Sequence, residues 1–213
     1  MISKAIPSQW TSEVLGVRVG TLNVEVIPPV KDIAFDNLGK FDVVFVKCDG
    51  WHDLDGVVAL DHLYDMEQIV QRKGRRPYHK VSKVRISDER RLGIALTAFS
   101  ESRFLRDDKI SKRAPGIYRR WLAENEAYVL VNEPNDGFLV HDVDLDGSNR
   151  IALMAVAKEN RGAGVGKRLV AGVLEKHGVW RVKVSARNLS AIRFYETMGF
   201  RMKNVLTAFH VWM

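Results

Sequence analysis

Apolar and polar positions along this chain repeat with two different periods, and the changes of period mark out its elements. Residues 151–157 form an unbroken apolar run, read as a strand. A turn with glycine at 162, 164 and 166 follows, and then an amphipathic helix pattern that continues to Gly178. Residues 179–185 alternate apolar with polar, which predicts a strand with one buried face. Beyond it Ala191, Phe194, Tyr195 and Met198 fall at i, i+3, i+4 and i+7, one face of a short helix that Asn188 or Ser190 caps and Gly199 ends.

Upstream, Asp88 and Glu89 open a helix through Leu92, Leu96 and Phe99, and a second helix around 117–123 carries Tyr118 and Trp121. Three strands are predicted near 127–132, 138–144 and 150–157, separated by turns rich in Asp, Asn, Gly and Pro. Residues 200–205 and 208–213 read as two closing strands. The first eighty residues are less regular: an alternating stretch over 17–27, a helix over 30–38, a strand over 41–47, a short helix near 55–62 and a strand near 63–72. The division that follows is an N-terminal α/β unit, 1–84, and a second unit, 85–213. The first has the element order of an incomplete copy of the second.

The glycine turn is where chemistry enters. Glycine at 162, 164 and 166 removes side chains where backbone must approach a ligand, and the helix start behind it presents unpaired N–H groups and partial positive charge to an anion. A dinucleotide fingerprint counted from Gly162 places Lys167 where glycine is needed, and a Walker loop meets Arg161 and Arg168 at its glycine and hydroxyl positions, so both are excluded.

What remains, Arg161-x-x-Gly164-x-Gly166, resembles the coenzyme A loop of the GCN5-related N-acetyltransferase (GNAT) superfamily. Asn188, followed by a helix with Tyr195 and closing in Gly199-Phe200, resembles that family's second signature. The resemblance implies a mixed, mostly antiparallel sheet, splayed and flanked by helices, with acetyl-CoA as co-substrate. It implies that Arg161, Gly162, Ala163, Gly164, Val165, Gly166 and Lys167 hold the pyrophosphate. The strand near Ala155 and Val156 would pair with the pantetheine arm, and Asn188 would touch it. Tyr195 would protonate the departing thiolate, a role suited to a phenol of pKa about 10. Helix capping alone would explain Asn188, and a core tyrosine on an apolar helix face is the lesser alternative for Tyr195.

Residues 98–104 with Ser102, Arg103 and Phe104, the run 118–121, and Trp10 to Gly16 look like the group of acetyltransferases acting on dTDP-fucosamine and related nucleotide-linked 4-amino-4,6-dideoxy sugars. That likeness places Ser102, Arg103 and Phe104 by the acceptor, Phe104 against a sugar or base and Arg103 at a phosphate. A core Phe104 and a surface Arg103 weigh evenly against it. Peptide, antibiotic or small-amine acceptors, and a non-catalytic acyl-CoA-binding module, stay open. No general base is readable. Glu13, Glu67, Glu101, His141, Asp142 and Asp144 are the candidates, each more readily a solvated surface group, and an enzyme of this kind can also do without a dedicated base.

Composition sets the outer bounds. With 213 residues, 46% hydrophobic, the chain holds enough apolar surface for a proper core. A single cysteine, Cys48, excludes a disulfide framework and a cysteine-rich metal site, fits a reducing cytoplasmic setting, and reads as a strand residue. No apolar stretch is long enough to span a membrane. A net charge of +7 favours anionic partners. The densest basic runs, 71–77 and 113–120, come without zinc-finger spacing or an RNA-binding aromatic motif, so phosphate steering outranks nucleic-acid binding. Asp142-x-Asp144-x-Asp146-Gly147 copies the start of a calcium loop but has Leu153 where glutamate belongs, and is read as a hairpin turn; no metal is expected. A homodimer is left open.

Overall fold

The structure, a computed structural model, describes residues 5–24, 40–51, 57, 59–70, 80–85, 88–133, 136–174 and 178–213. Among them lie ten strands: β1 (Ile6–Pro7), β2 (Val19–Val24), β3 (Val43–Asp49), β4 (Ala59–Val70), β5 (Val81–Arg85), β6 (Glu126–Leu130), β7 (Gly137–Val143), β8 (Asn149–Val156), β9 (Gly178–Ser185) and β10 (Arg201–Trp212). Six helices accompany them: α1 (Gln9–Leu15), α2 (Glu89–Ala98), α3 (Arg103–Arg106), α4 (Ala114–Glu124), α5 (Val165–Val173) and α6 (Leu189–Thr197). The strands form one sheet in the order β1-β2-β3-β10-β4-β9-β8-β7-β6-β5. Among the described residues only β2–β3 and β8–β9 run parallel.

Local signals set the helix starts. Asp88 accepts the Arg91 N–H at 2.9 Å at the start of α2, Pro115 sits in the first turn of α4, and Asn188 accepts the Ala191 N–H at 3.0 Å at the start of α6. Helix α5 packs on β6, β7 and β8, and its Val165, Leu169 and Val170 join Leu139, Ile151, Trp180, Tyr195 and Phe200 in one core. On the opposite face α2 and α4 supply Leu92, Ala95, Tyr118 and Leu122 to a second core with Phe138, Val140 and Ala155.

The basic run 113–120 lies on and just before α4, and its arginines tie helices together. Arg113 donates to the Leu15 carbonyl at 2.5 Å, Arg119 pairs with Glu89, and Arg120 bridges Glu13 at 2.7 Å and Glu124 at 2.8 Å. The acidic repeat at 142–146 is a hairpin between β7 and β8. Arg150 meets Asp142 and Asp144, Arg181 meets Asp146, and Ser148 hydrogen bonds, ahead of Arg181, hold the Asp146 carboxyl down to about 2.

Two sequence expectations are corrected. Residues 59–62, read as the end of a short helix, belong to strand β4, which lies between β10 and β9 and draws hydrogen bonds from both. The two closing strands are one, β10, which crosses the expected break because the fully buried Thr207 satisfies its hydroxyl on the Gly50 carbonyl at 2.6 Å. The expected helix over 30–38 and the basic run 71–77 fall outside the described residues.

Trp180 fills the centre of the larger core with no exposed surface. Trp180→Ala is expected to cost about 3–5 kcal/mol, read as a shift in urea midpoint at constant slope. A loss below about 1 kcal/mol would contradict this packing.

Candidate functional site

The site begins where two strands separate. β8 and β9 are paired only through Asn149–Trp180, Arg150–Arg181 and Ile151–Val182, and beyond Ile151 the pairing stops. At the same point the register of β8 against β7 jumps from Ile151–His141 to Leu153–Val140, leaving Ala152 as a bulge. An extra residue bends a strand and increases its twist, which turns β8 away from β9. The freed edge from Ala152 onward contains Ala155 and Val156, which keep their pairing with Phe138 and Gly137 on the other side. Ala152, Leu153 and Met154 are half-buried beside the groove that the separation opens, Ala152 and Leu153 packed on the second core and Met154 on the first.

At the end of that groove the chain makes one 3-10 turn, Lys158–Asn160, and enters the glycine loop. Gly162 and Gly164 have φ of 84° and 79°, the left-handed region that side chains disfavour. Gly164 is the N-cap of α5 and no side chain caps that end. The first helical N–H to find a carbonyl belongs to Arg168, 3.1 Å from the Gly164 oxygen, so the N–H groups of the first turn have no intrahelical acceptor. Two arginines brace the loop. Arg168 donates to the Ala163 carbonyl at 2.9 Å and pairs with Glu133, and Arg161 Nε donates to the Val156 carbonyl at 3.1 Å. Ala163 and Lys167 are exposed beside it.

On the other side of the groove α6 presents Tyr195, 4% exposed, with its hydroxyl 4.0 Å from Met154 Sδ on the freed part of β8. Burial pushes the phenol well above its ordinary range, so it stays protonated at any physiological pH. Asn188 is the cap of α6, and the Ser190 hydroxyl donates to its side-chain oxygen at 2.9 Å. Asn188→Ala is therefore expected to lower stability by about 1 kcal/mol. An unaltered thermal midpoint would deny the capping role, and a raised Kd for acetyl-CoA would reveal a cofactor contact besides.

Ser102, Arg103 and Phe104 lie at the start of α3, against β4. Ser102 accepts the Tyr118 hydroxyl at 2.7 Å; Phe104 joins the cluster of Phe45, Ile117 and Trp212, and the Arg103 guanidinium rests 4.3 Å from its ring centre. The segment after α3 is fixed to β10 through Asp107, which accepts from His210 Nδ1 at 2.7 Å and Trp212 Nε1 at 3.1 Å.

Of the six candidate bases, Glu13 binds Arg120, Glu67 lies between Arg181 and Lys203, Asp142 and Asp144 share Arg150, His141 Nε2 meets Asn149 at 2.9 Å, and Glu101 is exposed. The structure brings forward two others. Asp61 is 3% exposed and accepts the Ser185 hydroxyl at 2.7 Å; burial raises its carboxyl despite that bond. Asp65 stands opposite Lys183, and burial raises it also; its Oδ1 has no hydrogen-bond partner among the described residues. Asp61, Leu63 and Asp65 follow one another at every second position and share one face of β4; Asp61 joins that pattern only once 59–62 is recognised as strand, while Asp65 lies in the strand already predicted.

The splayed sheet, the amide-lined helix start and the buried tyrosine define a class. Residues 117–202 match the family model of the GNAT acetyltransferase domain, and the fold is that of GNAT structures. In sequence, the chain is similar to the spore coat polysaccharide biosynthesis protein SpsD of Bacillus subtilis, 27% identical over 131 residues. That match covers 56% of this chain and 45% of the relative, so it spans less than half of the relative's length. In fold it is similar to a conserved protein of unknown function from Staphylococcus epidermidis (TM-score 0.64, 13% identity, 99% of this chain and 91% of that one). A GCN5-related N-acetyltransferase from Sphaerobacter thermophilus aligns with TM-score 0.56 at 12% identity, over 99% of this chain and 76% of its own.

Proposed function

We propose that this protein is an acetyl-CoA-dependent N-acetyltransferase whose acceptor is the amine of a nucleotide-linked amino-deoxy sugar, with direct transfer in a ternary complex. The observation that carries the reading is the groove between β8 and β9, which leads from the buried Tyr195 hydroxyl to the uncapped start of α5. In this reading the amides of residues 162–167 hold the pyrophosphate of acetyl-CoA, with Arg161 and Lys167 adding charge. The freed edge of β8 at Ala155 and Val156 receives the pantetheine arm, and Asn188 borders it.

The acceptor amine must be neutral to attack the thioester carbonyl, so one proton leaves it and one reaches the departing sulfur. Asp65, whose carboxyl burial makes a better base, is placed to receive the first. Tyr195 supplies the second. Residues 1–84 contribute β3 and β4 to the acceptor side and 85–213 the cofactor side, joined through one sheet. Ser102, Arg103 and Phe104 frame the acceptor. The similarity to a polysaccharide biosynthesis protein supports a sugar acceptor, and the buried thiol of Cys48 suits a reducing cytoplasm.

Thiol release from acetyl-CoA, assayed against a panel of 4-amino-4,6-dideoxy sugar nucleotides, peptides and aminoglycosides, tests this. Turnover confined to the sugar nucleotides is expected. Preference for peptides or aminoglycosides would move the acceptor class, and acetyl-CoA binding with no turnover on any of them would leave only a binding module.

A further inference from the structure

Two cations on the acceptor side have no role in the cofactor groove. Lys47 on β3 is level with Ala208 on β10, and Ala208 with Asp61 on β4, so the three side chains stand in one row on one face of the sheet. The middle of that row is only a methyl group, and with Ala208 1% and Asp61 3% exposed the floor between the ammonium and the carboxylate is covered. Adjacent strands lie about 4.8 Å apart, so Lys47 and Asp61 are separated by about 10 Å at the backbone. Arg103 comes over this floor from α3, held by the ring of Phe104, and interacts electrostatically with both Lys47 and Asp61.

Neither Lys47 nor Arg103 has a carboxylate within ion-pair distance among the described residues. The other cations around them do not compensate. Arg106 is committed to the Leu60 carbonyl at 2.7 Å, and Arg150 to Asp142 and Asp144. Burial, then Arg103, Lys183 and Arg150, bring Lys47 down to about 8, so it is still mainly protonated at neutral pH. Two half-buried cations that share one nearby carboxylate, Asp61, whose own charged form burial disfavours, are a destabilising arrangement, and a bound anion lowers the cost.

We propose that Lys47 and Arg103 form the binding site for a phosphate or diphosphate group carried by the acceptor. This rests on the acetyltransferase reading and adds Lys47 to Arg103 as a residue that determines its acceptor. The row then has a polarity. The amine lies toward Asp61 and Asp65, next to β9 and the thioester, and the phosphate lies two strands away at Lys47. Arg103, straddling both, measures the distance between them. An acceptor without the anionic group would reach the same amine position with weaker binding and an unchanged chemical step.

The test is calorimetric titration of the full chain with inorganic pyrophosphate, with the cofactor cradle silenced in one arm by Gly164→Val and in the other by saturating coenzyme A. One pyrophosphate site is expected in both arms. Lys47→Gln and Arg103→Gln should each weaken it at least tenfold, with Lys47→Arg restoring it. On an amino-sugar nucleotide the same variants should raise KM with little effect on kcat, whereas a merely structural role would move both or neither. Absence of pyrophosphate binding with the cradle silenced, or equal binding by the Lys47→Gln/Arg103→Gln double variant, overturns the proposal. Failure of the acetyltransferase reading shows separately, as no coenzyme A binding to the unaltered protein.

Discussion

Gly164→Val should reduce acetyl-CoA affinity by at least about 100-fold. Gly164 has φ of 79° and forms the N-cap of α5, and a β-branched residue held there costs about 1–3 kcal/mol in backbone strain. Room for the new Cβ is not the obstacle, since its nearest neighbour would be Arg168 Nη1 at 3.4 Å. The chain relieves the strain by rotating out of the left-handed region, and that rotation re-aims the N–H groups to which the proposed function assigns the pyrophosphate. Hydrogen bonds to charged groups contribute about 1.5–3 kcal/mol each, so loss of two accounts for the predicted weakening. Calorimetric titration with acetyl-CoA reads the effect directly. A Kd within a factor of three of the unaltered protein's would remove the loop from the cofactor site, and with it the foundation of the functional reading.

Tyr195→Phe should lower kcat by about 100- to 10,000-fold, leave KM for acetyl-CoA unchanged, and preserve or slightly raise stability. The separation of these effects follows from the site. The Tyr195 hydroxyl is buried, and the contact recorded for it is the weak one to Met154 Sδ at 4.0 Å, so its removal deletes little native hydrogen bonding and relieves a desolvated polar group. Its raised pKa makes it a weak acid in isolation, but a thiolate leaving into the same apolar pocket has its own basicity raised by the same desolvation. In the proposed reaction the hydroxyl is thus a fixed donor for charge that develops only as the thioester breaks. Because Tyr195 remains protonated across any practical pH range, the deficit should be the same at every pH. A kcat within threefold of the unaltered enzyme's would take Tyr195 out of the acid role. A deficit that vanishes on one limb of the pH profile would mean that the phenol titrates, contrary to its burial.

The cofactor half of the protein was legible because its signals are local. A strand, a glycine turn and a helix start in succession fix where the α5 amides lie, and Asn188 announces the start of α6 within three residues. Prediction there needed no knowledge of what packs against what. The acceptor half was not legible in this way. Residues 59–62 carry Asp61 and His62 among leucines, a pattern that suits a helix surface until β10 and β9 are known to flank them. Thr207 looks like a break between two strands until its hydroxyl is seen to reach the Gly50 carbonyl. The six acidic and histidine candidates chosen by residue type are engaged elsewhere or exposed; of the two carboxylates that burial raises, Asp61 lies in the stretch misread as a helix, whereas Asp65 lies in a strand the sequence predicted and stood out only once its surroundings were known.

The sequence by itself determined the amide cradle, the helix that carries Tyr195, the hairpin at 142–148 and the alternation of strands and helices from 88 onward, since each depends on residues a few positions apart. Only the tertiary structure decided that β4 lies between β10 and β9, that Ala152 bulges where β8 leaves its partner, and that Lys47, Ala208 and Asp61 stand in one row across three strands. Those arrangements pair segments separated by tens to more than a hundred residues, and strand register between distant segments is fixed by which faces can be buried together, a property of the assembled sheet and of no single stretch of chain.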